Sequence, residues 1–218
     1  MRSWLIGLVG LFFGLPLFAQ NDVIYANNAE KREMKNFHGI DVSAGIQVIL
    51  THGEEAVVVT ADNKESINKI MTTVENGVLR IGIDTDWRIW KLADTWGAKV
   101  FVSYQALDLL KANSGASIKG NIGEMPKLEI VQSSGSVIEV EGMANDLQAE
   151  VNSGAVLKSY DLKIKNLKAG VSSGGGIQVT ATGEVNADAS SGGFIRYKGD
   201  AVIKGINVST GGSVKKIN

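Results

Sequence analysis

Asn152-Ser153-Gly154-Ala155-Val156-Leu157 is one of six versions of a single phrase in this chain. The others open at Asn113-Ser114-Gly115, Ser133-Ser134-Gly135, Ser172-Ser173-Gly174, Ser190-Ser191-Gly192 and Ser209-Thr210-Gly211, so the glycines recur at spacings of 20, 19, 20, 18 and 19 residues. A fixed period in this range is the signature of stacked supersecondary units. Around each glycine the side chains keep register. Leu110, Ile130, Ala149, Ala169, Ala187 and Ile206 stand four residues before the Ser or Thr of each step, and Ile118, Ile138, Leu157, Ile177, Ile195 and Val214 stand three after each glycine. Between them run mainly polar columns such as Lys111, Val131, Glu150, Gly170, Asp188 and Asn207. Alternation with a period of two means strands with one buried and one wet face.

Strands and turns repeating every 19 or so residues predict an all-β chain, a single-stranded right-handed parallel β-helix with rungs of about 19 residues. The hand follows from the chirality of parallel crossovers. At about 4.8 Å per rung, roughly eight or nine rungs would make a rod of about 40 Å. An antiparallel sandwich is the competing all-β answer; the Asn76-Gly77 turn signal suits it, but the equal periods do not. In the helix reading each Ser-Gly step is a corner. Gly115, Gly135, Gly154, Gly174, Gly192 and Gly211 supply a positive φ. Parity places Ser114, Ser134, Ser153, Ser173, Ser191 and Thr210 inside, as a stacked hydroxyl ladder.

The preceding part divides more loosely. Residues 1–19 read as a signal peptide, with Arg2 as its positive end, an apolar stretch over residues 4–18 and Ala19 at the cleavage point. Residues 20–35 read as a linker or N-terminal cap, and residues 36–218 as the β-helix domain. Ser43-Ala44-Gly45-Ile46 is a worn copy of the later turn. Strands are expected at residues 57–61 and 99–104, and one helical turn within residues 64–71. The expected location is outside the inner membrane: periplasm, outer-membrane surface or extracellular space.

Composition narrows the function classes. The formal charge is -1 and Cys is absent. No basic run offers a footprint for nucleic acid, and without Cys there are no disulfides or thiolate metal sites. No later apolar run is long enough to cross a bilayer. No metal and no cofactor are expected. Gly170-Val171-Ser172-Ser173-Gly174 spells G-x-S-x-G, but that nucleophile motif must join a strand to a helix, and here it is one copy among six. His38 and His52, the only two histidines, lack the spacing of a zinc site. Glu129, Glu139, Glu141, Glu150 and Asp188 are scattered along the rungs, whereas glycan cleavage needs paired carboxylates. No catalytic residue is therefore expected.

One stretch breaks the pattern. Residues 84–97 carry Trp87, Trp90 and Trp96, three of the four tryptophans. They are either a platform for a sugar or protein or a plug over the coil. At the other end the last rung presents an uncovered parallel edge, with Lys215 and Lys216 as gatekeepers or, alternatively, a homodimer contact.

Phe37, Ile40, Val42, Gly45, Ile46 and Val48, then Asn76, Gly77, Leu79 and Ile81, then the Ser-Gly rungs, resemble the putative auto-transporter adhesin, head GIN domain family over about residues 36–214. The resemblance implies export, a β-helix, a source among the Bacteroidetes, and a non-enzymatic adhesin or cell-envelope interaction module whose partner is a surface glycan or protein. The alternative is a carbohydrate-binding or carbohydrate-active β-helix using residues 84–97. The family brings no catalytic residues to carry over. Gly174-Gly175, Gly192-Gly193 and Gly211-Gly212 depart from its Gly-Ala-Ser tendency, which is expected to loosen those corners.

Overall fold

The computed structural model describes residues 28–83 and 97–218; the leader and Trp87, Trp90 and Trp96 lie outside them. The strands, in chain order, are β1 (Ala29–Arg32), β2 (Gly39–Val42), β3 (Gln47–His52), β4 (Ala56–Thr60), β5 (Ile70–Glu75), β6 (Val78–Ile83), β7 (Lys99–Tyr104), β8 (Leu109–Ala112), β9 (Ser117–Gln132), β10 (Val137–Val151), β11 (Val156–Val171), β12 (Gly176–Ala189), β13 (Phe194–Lys198), β14 (Val202–Val208) and β15 (Ser213–Lys216). One short helix, α1 (Lys64–Lys69), joins β4 to β5. With 66% strand and 3% helix the chain is all-β, a parallel β-solenoid of about 5 turns.

The repeat columns are the core. Ile118, Ile138, Leu157, Ile177, Ile195 and Val214 pair in register through β9, β10, β11, β12, β13 and β15. Leu110, Ile130, Ala149, Ala169, Ala187 and Ile206 do the same through β8, β9, β10, β11, β12 and β14. All but the last member of each column are buried. Outward residues between them remain wet, as the period of two requires.

Each Ser-Gly step is a two-residue turn with both central residues left-handed: Ser153 has φ 52° and Gly154 φ 73°, and the other five repeat this closely. The glycine's neighbour closes the turn, Ala155 N–H donating to Asn152 O at 3.1 Å. Ala44 and Gly45, at φ 61° and 72°, make the same turn in the worn copy.

The serines face the other way from the parity expectation. Ser114, Ser134, Ser153, Ser173, Ser191 and Thr210 are all exposed. Alternation of side chains holds only in extended backbone, and two successive left-handed residues break the count. The residue that returns to the interior follows the glycine: Ile46, Ala116, Ser136 and Ala155, then Gly175 and Gly193. Only Ser136 brings a hydroxyl inside at this position, and it donates to Ala112 O at 2.8 Å. Beside it buried Gln132, the polar exception in its column, donates to Val156 O at 3.2 Å.

Glycine in that second place tightens the corner instead of loosening it. A Cβ on Gly175 would lie 2.4 Å from Val151 O, so backbone from the previous rung already fills the space. Around Gly174 a Cβ would meet nothing within 4 Å, so its requirement is conformational only.

Before residue 113 the rungs leave sequence order. β2 pairs in parallel with both β6 and β8, and β3 with both β7 and β9. The β2–β3 rung thus lies between two later pieces of chain. Antiparallel strands then close this end: β4 on β7, β1 on β4, and β5 on β6 through the Asn76-Gly77 turn. Asn63 caps α1, its Oδ1 accepting from Ser66 N–H at 2.8 Å. Arg32 reaches from β1 to Ile67 O at 3.0 Å and Thr72 Oγ1 at 3.1 Å, binding strand, helix and hairpin into one lid. The regular stack accounts for about 5 turns, and the β2–β3 and β6–β7 levels continue it into the lid end.

The two glycines at one corner therefore predict different sensitivities. Gly174→Val places a β-branched residue at φ 72° and should cost about 2 kcal/mol or more, whereas Gly174→Asn should lose under about 1 kcal/mol. Gly175→Val drives into backbone and should cost at least as much as Gly174→Val. Urea melts of the three variants check the order; equal stability for Gly174→Val and the parent would refute the turn assignment.

Candidate functional site

A hollow of about 500 Å³ opens where the lid meets the regular rungs. Two connections frame it: residues 105–108 between β7 and β8, and the bend at residues 122–127 within β9. Leu107, Ile122 and Met125 are buried and give it an apolar floor. His38, His52, Asp108, Glu124 and Lys127 supply a polar rim. An apolar base with a few convergent polar groups is the usual form of a small-molecule site.

Local structure sets each rim group. His38 precedes β2, and its Nδ1 lies 2.6 Å from Asp108 Oδ1, a contact between residues 70 apart in sequence. Both groups are about half exposed, at 52% and 56%. The ring lies over Gly77, where a Cβ would sit 2.6 Å from His38 Cδ2. Glycine in that hairpin turn thus serves twice, for its φ of 75° and for the room it leaves the imidazole. His52 ends β3 and meets Tyr104 edge-on, with ring centroids 5.7 Å apart. Tyr104 is fully buried and donates its hydroxyl to Asn121 O at 3.0 Å. Burial pushes its phenol up to about 12. Asn121 shapes the adjoining bend by accepting from Gly123 N–H at 2.7 Å.

A shallower groove of about 330 Å³ runs on along the rod, sharing Lys127 with the hollow. Leu147 and Leu167 form its buried floor. Its two banks are the register columns Lys127, Asp146, Asn166, Glu184 and Gln148, Lys168, Asn186. Asn166 Nδ2 donates to Asp146 Oδ1 at 2.9 Å, and Lys204 lies 3.1 Å from Glu184. The arrangement offers amides, ammonium groups and carboxylates at rung spacing, which suits hydrogen bonding to an elongated polar ligand.

The residues singled out in the sequence are placed as follows. Gly170-Val171-Ser172-Ser173-Gly174 is the turn between two strands, β11 and β12, so it is no nucleophile elbow. Glu139 pairs with Lys119, Glu141 accepts from Asn121 at 3.1 Å, and Asp188 accepts from Asn207 at 2.6 Å. These acids brace neighbouring rungs. Among the described residues no group of three or more His, Asp or Glu is placed to hold a metal ion. The hollow itself was not read from the sequence. Its two histidines were visible, but the segments that complete it come from three separate rungs and share no motif.

With this geometry in view, comparison with known proteins is informative. The family model described as putative auto-transporter adhesin, head GIN domain, matches residues 36–201, which include both the hollow and most corners. The chain belongs to that family. Among solved structures it is similar to a putative adhesin from Bacteroides fragilis NCTC 9343, at 17% identity and a TM-score of 0.66, covering 87% of this chain and 96% of that one. A putative lipid binding protein from Parabacteroides distasonis ATCC 8503 follows at 19% and 0.60, covering 88% and 98%. A putative adhesin from Parabacteroides merdae ATCC 43184 has 15% and 0.54, covering 88% and 96%. At these identities the likeness shows the fold alone. Comparison with curated proteins gave no match.

Tyr104, which backs His52, makes the packing behind the hollow testable. Its folded value of about 12 lies above its ordinary 10.0, so the proton is held more tightly in the folded chain. That stability is complete below pH 10 and is lost as pH rises from 10 towards 12, on the order of 2–3 kcal/mol in all. Tyr104→Phe should cost about 1 kcal/mol at pH 8 through the lost hydroxyl bond, and should flatten the alkaline fall seen in urea melts. An alkaline profile identical to the parent's would show that Tyr104 is not the buried phenol described.

Proposed function

We propose that this head GIN protein is exported and works as a non-enzymatic adhesin or cell-envelope interaction module. The observation that carries the reading is the treatment of charge on its outward faces. Lys119 with Glu139, Asp146 with Asn166, Glu184 with Lys204 and Asp188 with Asn207 each link one rung to the next. Carboxylates used this way stiffen a presenting surface. A glycan-cleaving pair would instead face each other across a substrate, with one acid kept protonated. The leader read over residues 1–19 and membership of the adhesin-named family support export.

The second reading, carbohydrate binding, has its own observation: the hollow and the groove both border Lys127, and together they resemble a subsite with a track. Residues 84–97 are the other place for it, through Trp87, Trp90 and Trp96.

Two measurements separate these outcomes. Expressed with its leader in a Gram-negative host, the protein should be recovered outside the inner membrane with Gln20 as its first residue by intact mass. Retention of Met1 in the inner-membrane fraction would overturn export. On a glycan array, a Trp87→Ala/Trp90→Ala variant that folds normally should bind as the parent does. Loss of a parental glycan signal in that variant would instead favour the carbohydrate reading at residues 84–97.

A further inference from the structure

The two ends of the solenoid are finished differently. At the lid end the outermost strands are β1, with Glu30, Lys31 and Arg32, and β5, with Thr72, Thr73 and Glu75. Charged and short outer strands are the usual protection of a sheet edge. At the other end β14 pairs only β12, and β15 pairs only β13. Their outer edges carry unpaired backbone N–H and C=O groups.

Ile203, Ile206 and Val208 continue core columns there, Val202 continues the outward column of Glu184, and among the described residues no strand pairs beyond them. Val202, Ile203, Ile206 and Val208 are 61%, 53%, 37% and 50% exposed. The residues paired with the last three on β12 are Val185, Ala187 and Ala189, all buried. Of the exposed large hydrophobics among the described residues, only Met71 and Met143 lie elsewhere. Two lysines here are tied back to carboxylates. Lys204 reaches Glu184 at 3.1 Å, and Lys216, which follows buried Tyr197 in its column, reaches Asp200 at 3.0 Å. Lys215 stands in the outward column with Arg196.

We propose that this end docks on the same end of a second copy, forming a closed two-fold dimer. The surface is the cross-section of a β-solenoid, and what matches its outline, strand path and ring of aliphatics is another such cross-section. The lid end does not qualify, because antiparallel strands and Arg32 cover it, so head-to-tail growth into filaments is blocked. Head-to-head contact is isologous and closes. A two-fold axis across β14 sets it antiparallel to its counterpart, the slightly stronger form of strand pairing. Both sets of Ile203, Ile206 and Val208 then leave water together. One rung end is small beside the standard interface of about 800 Å² per partner, so the dimer is a micromolar one. This inference does not rest on the adhesin reading; it concerns how many copies present the faces.

Sedimentation of the purified protein from about 1 to 200 μM, the range of a weak interface, should show a monomer–dimer equilibrium. Ile203→Lys with Ile206→Lys should weaken it at least about tenfold, while Met71→Lys at the lid end leaves it unchanged. Because the chain has no cysteine, Ile206→Cys should give a disulfide-linked dimer on oxidation and Met71→Cys should not. A protein monomeric throughout the range, a dimer indifferent to the lysine pair, oligomers beyond the dimer, or cross-linking through Met71→Cys and not Ile206→Cys would each overturn the proposal.

Discussion

The regular rungs of this molecule depend on one backbone hydrogen bond at each Ser-Gly corner. Because Ser114 and Gly115 are both left-handed, the Gly115 N–H points along the rod and donates to Ser134 O of the next rung at 2.9 Å. Gly135 repeats this to Ser153 O, Gly154 to Ser173 O, Gly174 to Ser191 O and Gly192 to Thr210 O, between 3.0 and 3.1 Å. Gly45 starts the series on Ser114 O. The parallel ladder thus continues around the bend through the N–H groups of the glycine and of the residue before the Ser-Gly pair, while the residue after the pair closes the turn, as buried backbone requires. Fixing the corner also fixes the phase of the strands on either side, so their aliphatic columns stack without slippage.

That dependence explains why the architecture could be read from the chain. Six Ser-Gly steps and their flanking aliphatics specify period, strand direction and core columns, and the structure places them there. The serine orientation was not recoverable by counting, because counting assumes extended backbone and the turn contains two left-handed residues. The lid was partly legible. Asn76-Gly77 marked a turn and a helical turn was expected within residues 64–71, but the insertion of β2–β3 between β6–β7 and β8–β9 involves pairings that local pattern does not encode. The hollow was the least legible part. His38 and Asp108 meet only because that insertion brings residues 105–108 beside the start of β2.

The regular and irregular halves divide the work physically. Successive turns contact mainly their neighbours, so each added rung extends the faces without altering those before it. Such faces can vary residue by residue on their wet columns. A concave site needs walls that come from different levels and directions, which a uniform coil does not supply. Here the break in rung order supplies them, and the groove carries the site's polar lining a few rungs further through Lys127.

The same logic bears on Gln132. It stands in an apolar column, fully buried, with its amide nitrogen on Val156 O and its Oε1 without a partner. Its neighbours along the column are Ala112 and Val151, so no stacked amide shares the load. Ser136 is buried next to it and directs its hydroxyl to Ala112 O. Together they replace two aliphatic contacts with directed bonds that tie three rungs at one level. Directed bonds define register more sharply than aliphatic packing does, at the cost of a buried oxygen. Their position fits that purpose: Gln132 ends the strand that carries Met125 and Lys127, and a slip there would separate Leu107 and Asp108 from those residues.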